Sequence, residues 1–286
     1  MASIGRSRVI VNVLVVAGVL AASLALIVSL IWIFQERIAF QPPAGPWPEA
    51  PGTRRVEYVA QDGQPLFAYI VGDGNPADGL LLSFHGNADL AIWQIGWGEE
   101  IARRTGITVM LAEYRGYMGL KGRPDYRGSQ LDAEAAYLFA RDSLGVSAER
   151  VSFFGHSLGT AIAAELAVKH PPASLILQSP FTSARDMAGR ITGYRPSGLV
   201  WRFISRLHFD TGAKVAQIEA PVAVAHGGAD RLIPLGMGED IYAAARKKGP
   251  WLIVPNASHN DVAARGGEAY WSWMVDAMRP VSARAR

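Results

Sequence analysis

Residues 151–164 read Val151-Ser152-Phe153-Phe154-Gly155-His156-Ser157-Leu158-Gly159-Thr160-Ala161-Ile162-Ala163-Ala164. A short apolar run, the length of a buried strand, ends at Gly155. A run of small helix formers begins after Gly159. Between them stands Gly-x-Ser-x-Gly. A serine carried on a sharp strand-to-helix bend needs neighbours without side chains two residues to either side, and Gly155 and Gly159 supply that clearance. The amino end of the next helix then faces the hydroxyl, where its unpaired N–H groups and dipole favour negative charge. Ser157 is therefore the candidate nucleophile, and the backbone N–H of Leu158 is one candidate donor to an oxyanion. The competing reading is a glycine-rich turn that packs a helix closely on a sheet.

Outward from this bend the chain alternates strands and helices. Strands are predicted over 56–60, 66–71, 80–84, 108–112, 151–154, 174–177, 222–225 and 251–254, and helices over 89–104, 129–144, 158–169, 237–247 and 261–278. The turn Gln61-Asp62-Gly63-Gln64 joins the first two strands as a hairpin. The later strands are continuous apolar runs, as a parallel sheet covered on both faces requires. The pattern predicts an α/β class, a doubly wound, mostly parallel sheet of about eight strands. Chemistry in such sheets sits at the carboxyl ends of the strands.

A serine hydroxyl needs a base, and on this architecture the order is serine, acid, histidine. His259, in the loop after the last predicted strand, suits the base. His170 ends the helix after Ser157, His208 belongs to an insert, and His226 precedes Gly227 at a strand end; all three read as structural. Acids between Ser157 and His259 include Asp186, Asp210, Glu219, Asp230, Glu239 and Asp240. Asp230 follows a buried strand and Gly227-Gly228-Ala229, which puts it at the catalytic edge; a turn-forming aspartate is the alternative. The second oxyanion donor is expected from Ser83-Phe84-His85-Gly86-Asn87-Ala88, as the backbone N–H of Asn87, with His85 structural.

At these residues the sequence resembles the α/β-hydrolase superfamily. It is most similar to the membrane-anchored bud-emergence-type hydrolases and the serine-aminopeptidase-like hydrolase domain. The resembling segments are His85-Gly86-Asn87-Ala88, Tyr114-Arg115-Gly116-Tyr117, Gly155 to Gly159, Ser179-Pro180-Phe181, His226 to Asp230 and Ser258-His259-Asn260-Asp261. The resemblance implies the α/β-hydrolase fold, Ser157, Asp230 and His259 as a catalytic triad, and Leu158 and Asn87 as oxyanion donors. Asp89, Met118, Leu120, Asp125 and Tyr126 depart from the family pattern near the expected pocket mouth, which leaves substrate analogies open. Arg115 is expected to pair with Asp132 and to act structurally.

The amino-terminal part is of another kind. Residues 13–34 carry no charge, and only Gly18, Ser23 and Ser29 interrupt the apolar character. As a helix these residues span roughly 33 Å, enough for a bilayer core. The run exceeds a signal-peptide core, and no small-residue cleavage site follows it, so an uncleaved anchor is expected over 1–37. Arg6 and Arg8 precede the span, which places the amino terminus in the cytoplasm and the domain on the extracytoplasmic side. Prolines at 42, 43, 46, 48 and 51 make 38–53 a stalk, or a strap laid on the domain with Trp47 as its packing point. The hydrolase domain is then 54–286. Residues 182–219, with Trp201, Phe203, Ile204, Leu207 and Phe209, read as a short helical lid or as an ordinary surface helix.

The chain has no cysteine, which excludes disulfides, Cys-ligated metals and thiol nucleophiles. Residues 1–37 hold two of the three net positive charges, and no basic stripe with interleaved aromatics remains for nucleic acid. The expected activity is a membrane-tethered serine hydrolase of carboxylic esters, acting on a small-molecule or lipid-like ester and needing no metal or organic cofactor. An acyl-protein thioesterase or aminopeptidase-like amidase would use the same triad. A tethered binding protein with a vestigial pocket is the non-enzymatic alternative.

Overall fold

The structure is a computed structural model and describes residues 2–193, 195–196 and 198–282. Helix α1 (Ala2–Ala39) comes first. Strands β1 (Arg54–Val59), β2 (Pro65–Val71), β3 (Leu80–Phe84), β4 (Thr108–Ala112), β5 (Val151–His156), β6 (Leu175–Gln178), β7 (Val222–Gly227) and β8 (Lys248–Val254) form one sheet in the order β1-β2-β4-β3-β5-β6-β7-β8. β1 with β2 and β2 with β4 are antiparallel; the remaining neighbours are parallel. Leu80, Leu81 and Leu82 are all fully buried, because both faces of the sheet are covered. On one face lie α2 (Ile95–Thr105) and α9 (Val262–Ser282), the latter interrupted at Gly267. On the other α3 (Tyr126–Asp142) and α4 (Leu158–Lys169) pack together. Short helices α5 (Ala184–Thr192), α6 (Gly198–Ile204) and α7 (Thr211–Val215) follow β6, and α8 (Leu235–Ala244) follows β7.

The chain leaves β3 toward β4 on one side and returns to β5 on the other. Ligand crevices open at such a reversal, beyond the carboxyl ends of the strands. Here those ends carry Gly86-Asn87 and Ser157.

Two helices begin three or more residues from where the apolar pattern predicts. The Asp89 carboxylate accepts from Leu90 N at 2.8 Å and from Gln94 Nε2 at 2.9 Å, and Ala91 N donates to Glu113. These bonds hold 91–94 as a 3₁₀ turn, so the α-helix starts at Ile95. α3 starts three residues early, because Asp125 caps it by accepting from Gly128 N at 2.6 Å. Sequence 38–53 lies partly against the domain: Phe40 is buried against Phe209, and a β-carbon at Gly119 would stand 3.0 Å from the Trp47 ring.

Arg115 does pair with Asp132. Its Nε and Nη2 donate to Oδ1 at 2.9 and 2.7 Å, and its backbone N donates to Oδ2. Nη1 reaches Asp62 in the β1–β2 turn at 2.6 Å, a partner the sequence did not suggest. The guanidinium lies so close over α3 that a β-carbon at Gly128 would stand 2.7 Å from Arg115 Cδ. One cation thus ties the hairpin, β4 and α3 together, and the Asp132 side chain is 1% exposed.

Arg115→Ala strands that buried carboxylate and is expected to lower unfolding stability by about 3–5 kcal/mol, read by chemical denaturation of the purified full chain. Unchanged stability would show that the cluster is not structural. A β-carbon at position 159 would lie 2.1 Å from Phe84 O, and neither backbone can yield. Gly159→Ala is therefore expected to destabilise by about 3 kcal/mol, the upper end of ordinary overpacking, as a lowered thermal midpoint.

Candidate active site

β5 delivers Ser157 and α4 receives it. Ser157 has φ 52° and ψ −116°, left-handed backbone that a non-glycine residue rarely adopts. The bend persists because its surroundings over-determine it. Ser157 N donates to Gln178 O at 3.0 Å, and Ser157 O accepts from the Thr160 backbone N and hydroxyl. Gly155 and Gly159 touch across the bend: a β-carbon on Gly155 would meet Gly159 O at 2.3 Å. Leu158 opens α4, where first-turn N–H groups have no carbonyl within the helix.

The structure brings the three residues singled out above together. His259 comes from the loop after β8, and Asp230 from the turn after β7. Ser157 Oγ donates to His259 Nε2 at 2.8 Å. His259 Nδ1 donates to Asp230 Oδ2 at 2.7 Å. The other carboxylate oxygen, Oδ1, accepts from the backbone N of Leu232 and of Ile233, each at 2.9 Å. Ser157, His259 and Asp230 are all buried or nearly so. Burial opposes ionisation of Asp230, but hydrogen bonds with His226 and His259 prevail and hold its carboxyl well below the usual carboxylate range. The geometry is that of a hydroxyl poised to lose its proton to an imidazole that an anion orients.

The loop after β3 lies against the same point. A β-carbon at Gly86 would stand 2.9 Å from His156 Nδ1 and 3.4 Å from Ser157 Cβ, so only glycine lets the backbone come so near. Asn87 follows directly. Its Oδ1 accepts from Gln41 N at 2.7 Å, Tyr117 OH at 3.0 Å and Ala88 N at 3.0 Å. The loop rests on a buried pair, His85 Nε2 and Glu113 Oε1 at 2.7 Å. Burial works against a charged His85, yet the Glu113 carboxylate outweighs it and raises the pKa. Glu113 also accepts from Ala91 N and Tyr114 N, which pins both ends of the loop to β4.

Of these supports, Glu113, Tyr117 and Gln41 were not legible in advance, because each acts through a partner more than twenty residues away. His156 carries no signal in the sequence beyond its place in the Gly-x-Ser-x-Gly motif. Its Nε2 donates to His259 O at 3.3 Å, and burial, aided by the neighbouring His259, pushes its pKa down to about 4. It is neutral near pH 7 and sets no opposing charge beside His259.

Most of the remaining histidines and acids have other partners. His170 caps α4, stacks on Tyr137 and bonds Glu134. His226 Nε2 donates to Ile233 O at 2.9 Å and also stands 3.5 Å from Asp230 Oδ2, and His208 and Tyr126 meet edge to face. Asp186 pairs with Arg195, Glu219 with Arg246, and Asp210 caps α7. A cavity of about 380 Å³ is bounded by Asn87, Asp89, Trp93, Trp97, His156 and Asn260 among others; its wall includes the chain neighbours of Ser157 and His259 but none of the three residues themselves. Among the described residues no group of three His, Asp or Glu side chains could hold a metal ion.

Comparison with known proteins agrees with this architecture. The profile of the alpha/beta hydrolase fold matches residues 79–203. An uncharacterised protein of Mycobacterium tuberculosis is 35% identical, over 97% of this chain and 96% of its own. The alpha/beta hydrolase domain-containing protein WAV2 of Arabidopsis thaliana is 27% identical over 89% of each chain. Among solved structures, the Pyrococcus furiosus esterase Pf2001 superposes with a TM-score of 0.64 at 17% identity, covering 83% of this chain and 98% of that one, a likeness of fold. Sheet order, strand-to-helix bend and relatives concur: the chain belongs to the α/β-hydrolase superfamily.

Proposed function

We propose that this protein is a membrane-anchored serine hydrolase that cleaves carboxylic esters. The reading rests above all on one observation, the continuous hydrogen-bonded line from Ser157 Oγ through His259 to Asp230. In the proposed reaction Ser157 Oγ attacks the ester carbonyl and its proton passes to His259 Nε2. The tetrahedral oxyanion takes donors from the backbone N–H of Leu158 and of Asn87. The C–O bond to the leaving alcohol breaks as His259 returns the proton to that oxygen. A water then gives its proton to His259 and attacks the acyl-enzyme. The acid departs and Ser157 regains its proton. Asp230 stays ionised and steadies the imidazolium in both halves.

The anchor in this proposal is residues 1–37, followed by the proline-rich segment 38–53, the hydrolase domain 54–286 and, within it, the lid segment 182–219. Residues Val11–Ala39 form one helix whose most apolar 18-residue stretch has mean hydropathy 2.8, long and apolar enough to cross a bilayer. Arg6 and Arg8 favour a cytoplasmic amino terminus and an extracytoplasmic domain.

A fluorophosphonate probe is expected to label Ser157 alone, located by mass spectrometry of the labelled peptide. A chain that stays unlabelled would be a binding protein instead. Ser157→Ala should cut ester turnover by about 10⁴- to 10⁶-fold with the fold retained, read as kcat beside a melting curve. Asp230→Asn should cost on the order of 10⁴-fold in kcat, because an amide neither selects the His259 tautomer nor steadies its cation. A small effect would remove Asp230 from the reaction. A panel of esters, thioesters and amides of graded acyl length then separates esterase from thioesterase or amidase.

A further inference from the structure

The face of the domain nearest α1 is unusual for a protein surface in water. On α6, Phe203 is 77% exposed, Leu199 68% and Val200 43%, while Trp201 and Ile204 on its other side are half-buried. The apolar residues expected to form the underside of a lid therefore split: Phe209 is buried and Phe203 faces outward. Three large apolar side chains displayed together on a two-turn helix call for a cover.

The contacts of α6 say what the cover is. Gln35, in the last turns of α1, donates through Nε2 to Ile204 O at 3.2 Å. Its Oε1 accepts from Arg206 N at 2.7 Å and from Ser205 Oγ. Arg206 reaches the buried Glu36 at 3.1 Å, and its guanidinium lies 5.1 Å from the centre of the Trp32 ring. The carboxyl end of α6 is thus fastened to the end of the apolar span. Val28, Trp32 and Gln35 share one face of α1. Val28 is half-buried, whereas the other residues of 11–34 are exposed. Charge agrees: residues 182–219 carry six arginines and lysines against three acids, and Arg202 stands exposed between Trp201 and Phe203. Such cations suit anionic headgroups, and an arginine can reach them while its apolar neighbours go deeper.

We infer that α6 is a second membrane contact, in which Leu199, Val200 and Phe203 enter the interfacial layer of the leaflet from which α1 emerges. The inference rests on the reading of α1 as a membrane span. Its consequence is orientation. One tether leaves the domain free to swivel, whereas a tether and an adjoining apolar helix fix which side faces lipid. Gln41, two residues after α1 ends, already bonds Asn87, so the side held to the membrane is the side that bears the candidate site.

The absence of cysteine makes the test clean. Full-length chains carrying Phe203→Cys, Leu199→Cys, Leu20→Cys or Asp142→Cys are each labelled with an environment-sensitive fluorophore. They are reconstituted into phosphatidylcholine–phosphatidylglycerol nanodiscs with and without nitroxide-bearing lipid. Leu20 reports the span, and Asp142 ends α3 near the amino end of β5, the pole opposite Asn87. Blue-shifted emission at 203 and 199 that nitroxide lipid quenches severalfold more than at 142 is the expected result. Quenching at 20 with water-like emission at 203 and 199 overturns the inference and leaves the anchor standing. Blue-shifted emission at 203 that lipid nitroxide does not quench assigns the patch to a second copy of the chain, and also overturns it. No quenching at 20 removes the anchor reading, and this one with it. The Leu199 label carries the test if Phe203→Cys fails to fold.

Discussion

A carbonyl oxygen sets the terms for this molecule. Phe84 O, at the end of β3, lies where a β-carbon on residue 159 would have to go, and Gly159 O does the same for residue 155. The first turn of α4 is thereby pressed onto the carboxyl ends of β3 and β5. Chain threaded through so narrow a gap cannot relax, and Ser157 keeps the positive φ that turns its hydroxyl out of the sheet. The same approach sets the Gly86-Asn87 backbone and the amino end of α4 beside that hydroxyl. Nucleophile candidate and oxyanion candidates are two sides of one steric contact.

Around this contact the polar side chains work in layers. His85 and Glu113 hold the loop from beneath, and Asn87 is held from above by Tyr117 and by the backbone of Gln41. Arg115 joins the β1–β2 turn to α3 and so braces the next residues of the β4 loop. Buried charges of this kind cost desolvation, and they persist here because each finds several directed partners. Through Gln41 the brace extends to the end of α1, so the proposed anchor and the proposed site share a shell. In the proposed function this makes the membrane part of the site's setting.

The legible part of the fold was the part with local signatures. α4 runs over 158–169 as predicted, because Gly155 and Gly159 mark its start and His170-Pro171-Pro172 its end. β3 and β4 also occupy the predicted 80–84 and 108–112, as continuous apolar runs with sharp edges. α2 and α3 began elsewhere because side chains, Asp89 in one and Asp125 in the other, captured backbone amides that apolar periodicity does not register. Asp125, three residues before Gly128, has the form of a helix cap, although the apolar pattern begins later. Glu113 offered no such cue. A glutamate at the end of an apolar run looks like any strand terminus until its histidine is known.

The sequence by itself determined the class of fold, the bend at Ser157, the candidates Asp230 and His259 and the uncharged amino-terminal helix. Each depends on spacing within a short stretch, and backbone sterics translate spacing directly into shape. Only the tertiary structure decided that Ser157, His259 and Asp230 close into one hydrogen-bonded line across 102 residues, that Asp62 shares Arg115, and that Phe203 turns outward. Those are encounters between segments distant along the chain. Their positions follow from how the sheet and helices pack as a whole, and no periodicity in one segment records where another will arrive.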